Sequence, residues 1–268
     1  MDSIPHHVLR DHHSPSASSS PQKLFYQVKE DIISTIGPGY LEYTSVLPEV
    51  GHQVAQSLSV DPQVERSSVT LSYNPDTQIL SVTMPTIFHN SHLSWVNQEL
   101  MDAAASGFFT PQERGFSGFD NFPAPYQNIY KEPDCFIRPR GAAFPTIVFE
   151  VGYSQTYSQL TADKDLWFTA APTVNVVILI KWSLISGNRV KGFMELWRRG
   201  TPNPQRIDIF PAPPPGSPPQ TIDFYRGDLY AGGAVPAGRN ANEAWTWQID
   251  TLREMADQDI RLEGNLPA

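Results

Sequence analysis

KEPDCFIRPRGAAFPTIVFEVGYSQTYSQLTADKDLWFTAAPTVNVVILIK, residues Lys131 to Lys181, is the stretch whose reading decides the fold. A short apolar segment from Cys135 to Ile137 is followed by Arg138, Pro139, Arg140 and Gly141, and then by a second run from Thr146 to Val151. This pattern predicts a β-hairpin with a long loop. With its turn centred near Ala142, Asp134 at the start of one strand lies opposite Glu150 at the end of the other, so two carboxylates meet at one sheet edge. Glu150 stands among Ile147, Val148, Phe149 and Val151. A carboxylate in such surroundings is costly unless paired, so it calls for a cation.

Beyond Gly152 the apolar spacing changes to that of a helix, about 158–170. The near-continuous apolar run from Val174 to Ile180 then reads as a strand covered on both faces. Strand, helix and strand of these lengths imply a right-handed crossover onto a parallel strand. The C-terminal ends of both strands then share the edge where open α/β sheets keep their ligands. On the crossover helix Leu160, Lys164, Trp167 and Phe168 share one stripe, which turns a lysine toward the sheet.

The order Pro133, Asp134, hairpin, and apolar strand carrying Glu150 resembles the PD-(D/E)XK, restriction-endonuclease-like phosphodiesterases. The closer likeness is to their branch of small single-domain proteins, carried here by Asp134, Glu150, Val151, Ser154, Thr156 and Lys164 and spanning roughly 69–182. The motif has lysine two positions after Glu150, where this chain has Gly152. In that branch the following helix supplies the lysine, and Lys164 stands at that place. The resemblance implies an α/β (α+β) fold with a central mixed sheet flanked by helices. It further implies Mg²⁺, or Mn²⁺, held by Asp134, Glu150 and the Val151 carbonyl, with Lys164 beside them, and hydrolysis of nucleic acid, DNA before RNA. The alternative is a degenerate nuclease fold serving as a binding or scaffolding module, in keeping with Gly152 and with the acidic charge.

The other segments supply candidate packing elements and extra ligands. Residues 1–21 are rich in Ser, His and Pro and are expected to be disordered, with His6, His7, His12 and His13 as adventitious metal binders. Helical spacing from Gln22 to Ile36 and again at Val50, Val54 and Leu58 marks two packing helices. Glu30, Glu42 and Glu49 are candidate third ligands there. Alternation at Val69, Leu71 and Tyr73, the turn Asn74 to Thr77, and Leu80, Val82 and Met84 predict a hairpin entering the sheet. A helix over about 90–105 follows, with His89 and His92 at its start and Glu99 at the edge of its apolar stripe. The aromatic-rich loop 107–130 reads as pinned to the core, or as a lid or base-stacking surface. Strands are expected from Val190 to Trp197 and from Arg206 to Phe210, and a packing helix over about 242–259. The expected organisation is a tail (1–21), a core (22–210), a proline-rich spacer or loop (211–220) and a C-terminal strand and helix (221–268).

Composition limits the partners. A chain of 268 residues, 40% hydrophobic, can bury one substantial core. Its longest apolar runs are too short to span a bilayer, and its first residues lack the basic start and apolar core of a secretory leader. The sole cysteine, Cys135, fits a reducing compartment, so an intracellular setting, cytoplasm or nucleus, is expected. A net charge of −9 argues against a broad basic surface for nucleic acid, leaving local candidates in Lys131, Arg138, Arg140, Arg198 and Arg199. No membrane partner is expected, and a homo-oligomer is compatible with the chain. No nucleotide-binding glycine motif, serine-hydrolase elbow, HExxH or paired CxxC occurs.

Overall fold

The computed structural model describes residues 9–13, 20–110, 113–115, 121–230 and 234–268. In chain order they form strand β1 (Leu9–His13), helix α1 (Pro21–Ser34), β2 (Gly39–Tyr43), helices α2 (Pro48–Ser59) and α3 (Pro62–Glu65), and strands β3 (Thr70–Asn74) and β4 (Ile79–Met84). A 3-10 turn (Phe88–Asn90) leads into α4 (Ser91–Ala105), followed by the short strands β5 (Arg114–Gly115) and β6 (Tyr130–Lys131). The central run holds β7 (Cys135–Pro139), β8 (Ile147–Gly152), α5 (Tyr157–Ala170), β9 (Val176–Ile185) and β10 (Arg189–Arg198). Last come β11 (Gln205–Phe210), β12 (Thr221–Tyr225), α6 (Arg226–Tyr230), β13 (Ala244–Gln248), α7 (Ile249–Leu262) and β14 (Leu266–Pro267). The protein is therefore a mixed α+β protein.

The chain divides into two compact units, residues 1–86 with 121–132, and residues 87–120 with 133–268. The first is built on a five-stranded sheet in the order β1-β2-β4-β3-β6. The hairpin expected over Val69 to Met84 is present as β3 and β4, but it pairs in this sheet and not in the one that carries Glu150. Leu24, Val28 and Ile32 of α1 and Val54, Ala55 and Leu58 of α2 form the core with Leu41, Tyr43, Leu71, Tyr73, Leu80 and Val82. The 3.6-residue period of the helices puts each apolar set on one face. Gly51 in α2 is dictated by close approach, because a Cβ there would lie 2.1 Å from the Tyr73 ring. That ring is fully buried and its hydroxyl donates to the Val46 carbonyl at 2.8 Å.

Within the stretch expected to be a disordered tail, residues 9–13 pair in parallel with β2, and Ser20 caps α1 by accepting the Lys23 amide. The remainder of that tail, including His6 and His7, lies outside the described residues.

The second unit is built on a seven-stranded sheet in the order β11-β10-β9-β8-β7-β5, with β14 alongside β10. β7 and β8 form the expected antiparallel hairpin, and β8 and β9 the expected parallel pair joined through α5. A capping box, Thr156 with Gln159, starts α5. Successive residues of β8 serve opposite faces. Phe149 stacks on Trp247 of β13 at 5.8 Å, and Trp247 in turn meets Trp95 of α4 edge-on at 4.9 Å. Glu150, the next residue, reaches Trp167 of α5. Each ring buried in this way contributes about 2–3 kcal/mol of apolar burial.

Phe108 and Phe109 of the aromatic loop pack on Trp245 at 5.5 and 5.2 Å and so pin its start to the core of this unit, while Phe116 and Phe119 lie outside the described residues. The proline-rich segment 211–220 forms no helix or strand and is mostly exposed. The C-terminal helix α7 packs on α4 and β11, where Arg253 donates to the Asp208 and Ile209 carbonyls of the outer strand. No helix among the described residues is long and apolar enough to cross a membrane.

Candidate active site

The antiparallel register of β7 and β8 ends at Cys135 opposite Phe149, with Asp134 just before β7 and Glu150 just after Phe149. Asp134 carries the ladder past the end of β7, because its Oδ2 accepts the Val151 amide at 2.7 Å. The carbonyl of the same residue is also engaged. His89, in the 3-10 turn before α4, places Nε2 at 2.7 Å from Val151 O and at 3.9 Å from Asp134 Oδ1. Since a carbonyl only accepts, Nε2 of His89 carries the proton. Asp134 and His89 thus bracket Val151, one at its N–H and the other at its C=O.

Glu150 is 2% exposed, and its Oε1 accepts the Trp167 indole N–H at 2.6 Å. An N–H donor on a buried carboxylate offsets part of the desolvation cost that its apolar neighbours impose. Each acid is therefore held by its own donor, Asp134 by the Val151 amide and Glu150 by the Trp167 indole.

His92 is buried beside them. Its Nδ1 donates to the His89 carbonyl at 2.8 Å. Burial pushes its pKa down to about 4, with Asp134 pulling part of the way back, so the ring is neutral near pH 7. Cys135 is raised to about 12 by burial, which keeps the thiol protonated and removes it as a nucleophile.

Lys164 occupies the buried face of α5 as its stripe predicts, but its ammonium is directed elsewhere. It donates to Asp165 and lies 4.5 Å from the centre of the Trp197 ring of β10 and 5.7 Å from that of Phe168. A cation over an indole gains about 1–2 kcal/mol when desolvated, which is ample to hold this side chain in place. The structure thus fixes Asp134 on the Val151 amide and Glu150 on the Trp167 indole, and ties the ammonium of Lys164 to β10.

A second buried lysine lies outside the helical stripe that marks Lys164. Lys181, 8% exposed, stands in β9 in register with Gly152 of β8. Its ammonium donates to the carbonyls of Trp182 at 2.6 Å, Tyr153 at 2.9 Å and Gly152 at 3.4 Å. A signal existed, since a lysine directly after the apolar run from Val176 to Ile180 is out of character for a strand covered on both faces.

The other candidates fall into structural roles or into the other unit. Glu99 accepts the Gln248 amide at 2.7 Å and the Trp95 indole at 3.2 Å, tying α4 to β13. Burial pushes its pKa up to about 7. Arg199 closes the C-terminal end of α5 by donating to the carbonyls of Phe168, Ala171 and Val174. Arg198 binds Asp228 and the Asp223 carbonyl, and Arg138 holds the hairpin loop through Ala142 and Ala143. Glu30, Glu42, Glu49 and Lys131 belong to the first unit.

Among the described residues no group of three or more His, Cys, Asp or Glu side chains forms a metal cage. The Asp134 carboxylate before β7, and the Glu150 carboxylate and Val151 carbonyl of β8, are hard oxygen donors of the kind that suits Mg²⁺, which retains waters and needs only one or two carboxylates. The donor chemistry fits that ion. No protein-family model matches the chain, and no curated protein matches it.

Proposed function

We propose that the second unit is a metal-dependent phosphodiesterase site of the restriction-endonuclease-like kind, acting on nucleic acid and on DNA in preference to RNA. The observation that carries this reading is the hydrogen bond that fixes Asp134 on the amide of Val151, the residue next to Glu150. The β7–β8 hairpin and the parallel β8–α5–β9 unit behind it agree with the same fold. Asp134, Glu150 and the Val151 carbonyl would hold the cation. When bound, Mg²⁺ or Mn²⁺ supplies polarisation of a phosphate and acidification of water. The chain's own contribution is preorganisation. Asp134 and His89 lock the Val151 peptide, Trp167 fixes the Glu150 rotamer, and neither acid then needs to be reoriented when substrate arrives. An intracellular setting belongs to the same reading, on the strength of the sole cysteine.

The test is cleavage of plasmid and single-stranded DNA and of RNA in Mg²⁺ or Mn²⁺, with Asp134→Ala and Glu150→Ala as controls. Metal-dependent cleavage abolished in both variants is the expected result. Cleavage that persists in both variants refutes the site. Gly152, where the related motif has lysine, favours a second reading as a binding module, which DNA binding without cleavage in either metal would support.

A further inference from the structure

We infer that Lys181, and not Lys164, is the positive charge that acts with the acid pair. The inference rests on the phosphodiesterase reading. Phosphodiester hydrolysis builds negative charge on the phosphoryl oxygens, and a fixed cation in a water-poor site is worth most there. Two buried lysines are available on the α5 side of this sheet. Lys164 is committed to Asp165 and to the face of Trp197, on β10.

Lys181 is placed by β-sheet register. In the parallel pair, Glu150 is level with Leu179 and Gly152 is level with Lys181. Residues level with each other in a parallel pair point to the same face, and so do residues two apart on one strand. Glu150, Gly152 and Lys181 therefore share the face covered by α5. Gly152 brings no side chain to that position, and the lysine comes from the neighbouring strand at the same level.

The main chain aims the ammonium. Its bonds to the Gly152 and Tyr153 carbonyls bring it from β9 across to the end of β8, immediately past Val151. The carbonyls of Gly152, Tyr153 and Trp182 form a cradle for a cation, which keeps the charge in place in spite of burial. At 3.4 Å the Gly152 bond is the weakest of the three and is the one most readily exchanged for a phosphate oxygen. Lys181 is thus a positioning and electrostatic residue whose field acts on the acid pair and on whatever anion they bind.

The experiment compares wild type with Lys181→Gln, which keeps a hydrogen-bond donor but no charge, and Lys181→Arg, which keeps the charge. Single-turnover cleavage rates are read beside Mg²⁺ affinity from calorimetry. Lys181→Gln is expected to lower the cleavage rate by about 100-fold. Because a like charge has been removed from the cation site, its Mg²⁺ affinity should be unchanged or tighter. Lys181→Arg should recover part of the rate. A brace with no electrostatic role would loosen the site instead, so a joint fall in rate and Mg²⁺ affinity in both variants overturns the inference. An unchanged rate in Lys181→Gln, or loss of cleavage in Lys164→Met but not in Lys181→Gln, overturns it as well. If Lys181→Gln does not fold, Lys181→Met serves as the uncharged member of the comparison, and failure of all three to fold marks the lysine as structural and overturns the inference. Wild type that neither binds Mg²⁺ nor cleaves refutes the phosphodiesterase reading itself, which is a distinct outcome from a Lys181 result in an active protein.

Discussion

His89 Nε2 donates to the Val151 carbonyl at 2.7 Å, joining the turn before α4 to the end of β8 in a contact between residues 62 positions apart. Both residues are buried, at 2% and 1% exposure, so the bond is shielded from competition by water. His89→Phe keeps a ring of similar size and deletes the donor. We expect it to lower stability by about 1–3 kcal/mol, the cost of leaving a buried acceptor unmade. Urea unfolding at pH 7 measures the change, and a loss below about 0.5 kcal/mol would show that the bond contributes little net stability.

Glu99 gives the second unit a pH dependence of defined sign. Its pKa rises from 4.5 to about 7 on folding because burial disfavours the carboxylate, so between those values the folded chain holds a proton that the unfolded chain releases. Its contribution to stability is therefore fully present below pH 4.5 and is lost as the pH rises through 7. The loss is on the order of 3 kcal/mol at most. Glu99→Gln stays neutral throughout. Chemical denaturation at pH 5 and pH 8 should show wild type losing more stability over that interval than Glu99→Gln, and parallel profiles for the two would refute the assignment.

In the first unit, Gly51→Ala tests the fit of α2 on the sheet. The added methyl would lie 2.1 Å from the Tyr73 ring, so the ring or the helix has to move. Overpacking of this kind costs about 1–3 kcal/mol, which outweighs the roughly 1 kcal/mol that alanine gains over glycine in a helix. Thermal unfolding should show a lower midpoint for Gly51→Ala, with part of the loss restored by Tyr73→Leu in the same chain. A midpoint equal to or above wild type would mean that α2 shifts at no cost.

The parts of the molecule legible in the sequence are those fixed by local periodicity. Alternation and a continuous apolar run marked β7, β8 and β9, the 3.6-residue spacing marked α5, and the length of the connection between β8 and β9 required them to be parallel. The hairpin from Val69 to Met84 joins the other sheet, because alternation says that a segment is a strand and not which sheet it enters. The return of 121–132 to the first unit involves contacts far apart in the chain, and no local pattern records it.

What the sequence determined unaided was thus the strand and helix content around Asp134 and Glu150, since it follows from residue spacing along the backbone. Where the ammonium of each buried lysine rests, and the grip of His89 and Asp134 on Val151, only the tertiary structure decided. A lysine carries its charge at the end of a four-carbon stem, so helical spacing can turn Lys164 toward the sheet while Trp197 and Asp165 settle where its ammonium rests. Likewise, the hydrogen bonds of His89 and Lys181 go to main-chain carbonyls, which carry no residue-specific mark in a sequence and become partners only when strands and turns remote in the chain are brought together.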